Sequence, residues 1–185
     1  MKRRIEPATN YLVYSTESLP THVTPLPSGL RFMVWRPSIH GIVPPGMSMK
    51  FAFWSLFHYL RIFRNRDFSI TYIVRDEMIV HRSCLLPKYF RWPFMAKDDL
   101  QISSTFTDPG YRGKGLATIA LQQILWSRRQ TPRRYWYVTR ENNPASIAVC
   151  TKVGFSLFGI AHRTRLLGMH VFGRLVICTD TAITH

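Results

Sequence analysis

Thr107-Asp-Pro-Gly-Tyr-Arg-Gly-Lys-Gly-Leu-Ala117 stands between a strand-like run over residues 100–106 and a helical pattern that continues to about residue 129. Gly113 and Gly115 carry no Cβ, so the chain can turn tightly there and bring its backbone close to a ligand. The helix that follows opens with N–H groups lacking intrahelical partners, and the positive end of its dipole points the same way. A glycine-bearing turn feeding a helix in this manner is an anion site, and Arg112 and Lys114 add full charges beside it. The expected guest is a phosphate or pyrophosphate held mainly by main chain. The Gly-x4-Gly-Lys-Ser/Thr phosphate loop and the Gly-x-Gly-x-x-Gly dinucleotide pattern are both absent, which removes the two commonest nucleotide folds.

The order Arg112-x-x-Gly115-x-Ala117 resembles the Arg/Gln-x-x-Gly-x-Gly/Ala signature with which the GNAT superfamily of N-acetyltransferases grips the pyrophosphate of acetyl-coenzyme A. A second stretch carries the same resemblance. Residues 141–155, Glu-Asn-Asn-Pro-Ala-Ser-Ile-Ala-Val-Cys-Thr-Lys-Val-Gly-Phe, are similar to the family's later pattern Asn-x-x-Ala-x-x-x-Tyr-x-Lys-x-Gly-Phe. Asn143 falls on the asparagine that touches the cofactor arm, Ser146 on the small helix residue, and Gly154-Phe155 on the pair that ends the helix. The two signatures and the strand order together extend the resemblance over residues 30–179. It implies acetyl-CoA as co-substrate, with no metal, bound by strand amides of Thr105, Phe106 and Thr107, by the turn residues Arg112, Gly113, Lys114, Gly115, Leu116 and Ala117, and by Asn143 and Ser146.

Outside these stretches, 185 residues at 46 % hydrophobic content suffice for one compact domain with its own core. The first 28 residues hold four prolines and read as an extended arm with a short strand over 11–15, leaving residues 29–185 as the acetyltransferase domain. Cys84, Cys150 and Cys178 are odd in number and widely spaced, so they form neither a disulfide framework nor a metal-ligand pattern, and a reducing cytoplasm is expected. The basic start, Met1-Lys-Arg-Arg-Ile-Glu-Pro7, is not followed by the apolar core of a signal peptide, and no window is apolar enough to span a bilayer. Net charge is +15, carried by 19 Arg against 6 Lys, a surface that attracts nucleic acid, anionic lipid or phosphorylated substrates, or simply keeps the protein soluble.

In order along the chain, residues 30–36 alternate as a strand, and 48–63 read as a helix capped by Ser48 with an inward apolar stripe at 49, 53, 56, 60 and 63. The rings at 51, 54, 57 and 59 leave that helix little polar face, so it is either sandwiched between layers or partly exposed. With Arg61, Arg64 and Arg66 it also suits the interface of an anionic membrane. Residues 68–75 and 78–86 form a hairpin about Asp76-Glu77, and the ring-rich stretch 88–99 reads as a loop over a cleft or a patch against a neighbour. A helix to residue 129 should turn positions 116, 119, 120, 124 and 125 inward; a strand over 135–139, a helix from Asn143-Pro144 to Lys152 and a hairpin about Gly168 complete the order. The class is α/β (α+β). The resemblance implies a mixed, mostly antiparallel sheet of about seven strands flanked by helices and splayed between strands 4 and 5.

Amine attack on a thioester needs an oriented donor, a polarised carbonyl and a route for the proton. Asp99, by its spacing from Arg112, falls where some relatives carry a glutamate base, with Asp98 and Glu141 as substitutes. Cys150 stands where many relatives place the tyrosine that reprotonates the departing thiolate; it is either that acid or a small buried hydrophobe. No cysteine is marked as a nucleophile, so direct transfer is expected over a covalent relay, and His81 is either structural or part of the acceptor cleft. A looser resemblance to acetyltransferases of bacterial surface-polysaccharide and lipopolysaccharide assembly implies a phosphorylated or lipid-linked amino sugar as acceptor and work at the inner membrane face. Protein, peptide or small-molecule amines, and a non-catalytic coenzyme- or nucleic-acid-binding module, are the alternatives. Polyamines are disfavoured by charge, and so is nucleic acid, because the arginines are scattered. A monomer and a homodimer are both compatible with the sequence.

Overall fold

The computed structural model describes residues 10–39, 41–164 and 173–178. Eight strands, β1 (Tyr11–Thr16), β2 (Arg31–Trp35), β3 (Ser69–Arg75), β4 (Met78–Pro87), β5 (Leu100–Thr107), β6 (Tyr135–Arg140), β7 (Ser156–Arg163) and β8 (Leu175–Cys178), make one sheet in the order β2-β3-β4-β5-β6-β1-β7-β8. Helices α1 (Ala52–Tyr59), α2 (Leu116–Ser127) and α3 (Pro144–Lys152) flank it. Every neighbouring pair is antiparallel except β5 and β6, which run parallel.

Strand alternation sends successive side chains to opposite faces and so divides the core in two. Val13, Cys84, Leu86 and Trp136 pack on the α1 side with Phe57, Phe63, Tyr89 and Met95. Tyr14, Leu85, Tyr135 and Tyr137 pack on the other with Leu121, Ile124, Leu125 and Phe155 from the α2 and α3 region. All the positions expected to face inward from α2 are buried. The Asp76-Glu77 turn has positive φ at both residues, 45° and 67°, the twist that a tight two-residue hairpin requires. Asn143 caps α3, its Oδ1 accepting from the Ser146 N–H at 3.2 Å, with Pro144 in the first turn and Gly154 left-handed just beyond the end.

Three expectations need correction. Residues 11–16, read as part of an arm, form an inner strand bonded to β6 on one side and β7 on the other, because their alternation of Val13 and Tyr14 matches both halves of the core. The helix from 48 to 63 is shorter and turned: a 3-10 turn at Met49–Phe51 precedes α1, Ser48 makes no side-chain cap, and the chain leaves the helix at Leu60 and Arg61. Two apolar stripes compete there, and the rings win. Trp54, Phe57 and Phe63 interlock with Tyr89 at centroid distances of 5.6 to 6.2 Å, while Met49, Phe53, Leu56 and Leu60 face outward. The 88–99 stretch does not lie over the cleft between β5 and β6 either, since Tyr89, Trp92 and Met95 are buried beneath the sheet with α1. The hairpin turn expected about Gly168 lies outside the described residues, as does most of the basic N-terminal segment.

Asp67, just before β3, ties the ends of three segments together. Its carboxylate accepts from Arg133 at 2.6 Å and lies 3.6 Å from Arg128, whose other nitrogen donates to Ser69 Oγ at 2.9 Å. Burial alone would raise this carboxyl, but the Arg133 hydrogen bond and the charges of Arg133, Arg128 and Arg36 outweigh it and hold it below 3.8. A carboxylate whose folded value is depressed adds stability above its unfolded value and loses it as pH falls through the folded one. Asp67→Asn is therefore expected to cost about 2 kcal/mol in urea unfolding at pH 7, with the gap to wild type narrowing steadily below about pH 4.

Candidate active-site cleft

Strands β5 and β6 pair over three positions only, Leu100 with Tyr135, Gln101 with Trp136 and Ile102 with Tyr137. Beyond Ile102 strand β5 holds one more residue than its neighbour β4: Cys84 faces Ser103 and Arg82 faces Phe106, with Ser104 at a φ of 51°. Such a bulge bends its strand and frees backbone groups from the ladder. The resulting gap is a cleft of about 500 Å³ walled by Thr105, Phe106 and Thr107 from β5, by Tyr111, Arg112, Gly113, Gly115, Leu116, Ala117 and Thr118, by Tyr137 from β6, and by Asn143, Ala145, Ser146 and Val149. A second hollow of about 360 Å³ adjoins it at Thr105, Tyr137, Asn143 and Ser146.

One end of the cleft is built for an anion. Asp108 accepts from the Gly110 N–H at 2.9 Å and starts a 3-10 turn; Gly113 and Gly115 then sit at φ of 75° and 74°, so the chain swings left-handed into α2. The α2 ladder begins only with the Ile119 N–H donating to the Gly115 carbonyl, which leaves the amides before it pointing outward from the turn. Arg112 donates through Nε to the Thr107 carbonyl at 3.1 Å, and its guanidinium lies 5.9 Å from the Phe106 ring, so its position is fixed from two sides. Lys114 is not itself part of the cleft wall; its Nζ lies 4.8 Å from the ring of Tyr111, which is.

At the other end a chain of hydroxyls crosses the sheet. His81, fully buried on β4, lies 2.8 Å by Nδ1 from Thr107 Oγ1 and 3.1 Å by Nε2 from Ser83 Oγ, which lies 3.1 Å from Thr105 Oγ1. Burial, reinforced by Arg82, pushes His81 down to about 4, so the ring is neutral at pH 7. Burial raises the Tyr137 phenol from its ordinary value, outweighing the opposing influence of the neighbouring Ser146 and Thr105 hydroxyls.

The expected chemistry of two residues does not survive this geometry. Asp99 lies behind the paired stretch of β5 and β6, at the closed end, where its Oδ2 accepts from the Trp136 indole N–H and the Ala96 N–H, both at 2.7 Å. Its lone pairs hold a loop, and it faces a different hollow, with Phe94, Arg134 and Trp136. Cys150 is wholly buried, its thiol donates to the Ile147 carbonyl at 3.2 Å and is pushed up to about 11 by burial, and it is no part of the cleft lining. Asp98 is exposed, and exposed Glu141 accepts from Asn10. The residue that sequence reasoning missed is Tyr137. Its one signal is the Tyr135-Trp-Tyr137 alternation, which assigns 135 and 137 to a common face without saying that the facing strand departs there.

Set beside known proteins, residues 48–155 match the model of the Acetyltransferase (GNAT) family. No curated protein sequence matches the chain. Similar solved structures include a GNAT-family acetyltransferase from Novosphingobium aromaticivorans, at 12 % identity and a TM-score of 0.54 over 85 % of this chain and 63 % of that one. A GCN5-related N-acetyltransferase from Sphaerobacter thermophilus aligns at 16 % identity and a TM-score of 0.57, over 84 % of this chain and 50 % of the other. The tandem GNAT protein of the clavulanic acid biosynthesis pathway gives 15 % and 0.60, over 83 % and 51 %. The chain thus spans about half to three fifths of the length of these structures, and at such identities the likeness is one of fold.

Among the described residues no heavy atom lies within 4 Å of a Cβ added at Gly115, so a substitution there is penalised by its φ of 74° and not by a clash. Gly115→Val is expected to strain the turn by about 1–2 kcal/mol and to weaken acetyl-CoA binding by about tenfold or more in calorimetry, with little change in the melting of the sheet.

Proposed function

The chain belongs to the GNAT acetyltransferase family, and from that premise we propose that it moves an acetyl group from acetyl-CoA to a primary amine by direct transfer. The observation that carries this reading is the continuity of the anion-binding turn with the gap between β5 and β6, a volume of about 500 Å³ with amides at one end and a buried phenol beside it. The diphosphate fits the amides of the 112–117 turn, with Arg112 as a fixed charge. Asn143, Ser146, Ala145 and Val149 line the side along which a narrow, amide-bearing arm would lie. Bound acetyl-CoA supplies the acyl thioester. A β5 amide freed by the bulge near Thr105–Thr107 donates to the carbonyl oxygen as negative charge grows there.

Proton traffic falls to Tyr137. As the amine nitrogen bonds to the acyl carbon, the carbon–sulfur bond breaks with its electron pair on sulfur. Nitrogen sheds one proton to water, sulfur takes one from the Tyr137 hydroxyl, and the phenolate recovers a proton from water, so atoms and charge balance. A phenol raised above 10 keeps its proton throughout the neutral range. His81 and Ser83 hold the Thr105 hydroxyl beside it, and the neutral imidazole places no charge against the incoming amine. Tyr137 takes the part first given to Cys150, and no carboxylate among the described residues lines the cleft, so water is the base in this reading.

The acceptor in this reading is an amino sugar of a nucleotide- or lipid-linked glycan precursor. Its support is the arginine excess and one placement in particular: Arg82 lies 4.6 Å from the Phe106 ring and 5.8 Å from the Phe51 ring, a cation at the edge of the cleft suited to a phosphate. Thiol release from acetyl-CoA, followed across amino-sugar nucleotides, peptides and simple amines, tests both halves. Release with the sugars supports the proposal; release with peptides alone reassigns the acceptor. Tight coenzyme binding with no release from any of them makes the chain a binding module. Tyr137→Phe is expected to lower kcat by about tenfold or more with KM for acetyl-CoA within twofold, and the alkaline fall in wild-type kcat is expected only above pH 10.

A further inference from the structure

We propose that the outward face of α1 and the basic hollow beyond its end form a docking surface for an anionic phospholipid bilayer. Met49, Phe53 and Leu60 are 71 %, 54 % and 61 % exposed, and with Leu56 they recur every three or four residues along one side. This apolar row is seated on a rigid base: the Phe53 ring packs at 4.8 Å on Phe57, which also touches the half-exposed Phe90 at 6.2 Å. Where the helix stops, Arg61, Arg64, Lys88 and Arg174 surround a hollow of about 510 Å³ floored by Tyr89 and Phe90. Among the described residues none of these four cations is in an ion pair and no carboxylate lines the hollow. Between Glu17 and Asp67 the chain contains no acidic residue, and Asp67 is already engaged by Arg133 and Arg128.

The two halves select one occupant. Bare Met, Phe and Leu side chains suit the acyl boundary of a bilayer, and a cluster of cations beside them suits headgroup phosphates. Nucleic acid would engage the cations but leave the apolar row in water. A second copy would bring +15 against +15. The surface also adjoins the cleft, since Phe51, at the start of this segment, shares Arg82 with the cleft residue Phe106. Docking stands on this geometry alone and holds whether or not the chain turns over acetyl-CoA.

The test is flotation of the full chain with vesicles of phosphatidylcholine, alone or carrying about one third phosphatidylglycerol. The expected result is binding to the anionic vesicles only, weakened by salt. Phe53→Asp/Leu60→Asp and Arg61→Glu/Arg64→Glu should each weaken it by about tenfold or more while leaving far-UV circular dichroism and acetyl-CoA affinity as in wild type. Equal binding to neutral vesicles, no binding to either, or undiminished binding by both double variants would overturn the proposal. So would a wild-type dimer in sedimentation that Phe53→Asp/Leu60→Asp dissolves, because the face would then belong to a second copy.

Discussion

The short parallel ladder between β5 and β6 is the constraint on which the rest of this molecule depends. Three paired positions join the two halves of the sheet, and the bulge at Ser104 prevents a fourth. Had the ladder continued, Thr105 would bond to β6 and the gap would close. Because it ends, backbone donors of β5 are left beside an opening bordered by Tyr137 and the start of α3. The closed end must then be held firmly: hydrogen bonds from Trp136 and Ala96 to Asp99 sit behind the Leu100–Tyr135 pair, and Asp67 ties the approach to β6, through Arg133, to the start of β3 and the end of α2.

Local chemistry explains which parts of this were legible in the residues alone. Gly113 and Gly115, and Asn143 with Pro144, each announce a backbone state that few other residues favour, so the anion turn and the α3 cap are legible from the residues alone; the hairpin is legible from the β-branched and aromatic runs on either side of Asp76-Glu77, not from the turn residues themselves. Side-chain roles set by long-range register could not. Asp99 and Cys150 have plausible catalytic chemistry and suitable spacing, yet one is consumed by an indole N–H and the other is buried in the core. Tyr137 becomes prominent only once its partner strand is known to depart at that level. Helix α1 was misjudged for a different reason: both its aliphatic and its aromatic stripes satisfy a helical period, and only the area each ring buries decides between them.

The hydroxyl chain that joins Thr107, His81, Ser83 and Thr105 shows how a polar track can cross a sheet without destabilising it. Ser83, Thr105 and Thr107 each offer both a donor and an acceptor, so an imidazole kept neutral by its surroundings can be satisfied at both nitrogens. The track adds no charge at the cleft, and the guanidiniums of Arg82 and Arg112, both held near the Phe106 ring, become the dominant electrostatic presence there.

Strand β1 occupies an interior slot between β6 and β7, although it precedes both of them, and every other described strand, along the chain. During translation it leaves the ribosome long before either flanking partner exists, with Val13 and Tyr14 bare to water. Its docking has to await β6 and β7, Tyr135–Arg140 and Ser156–Arg163, and a late closure across such sequence separation slows acquisition of the native state. In that interval an orphan apolar strand is an invitation to aggregate, which makes nascent-chain chaperones the natural guardians of this topology.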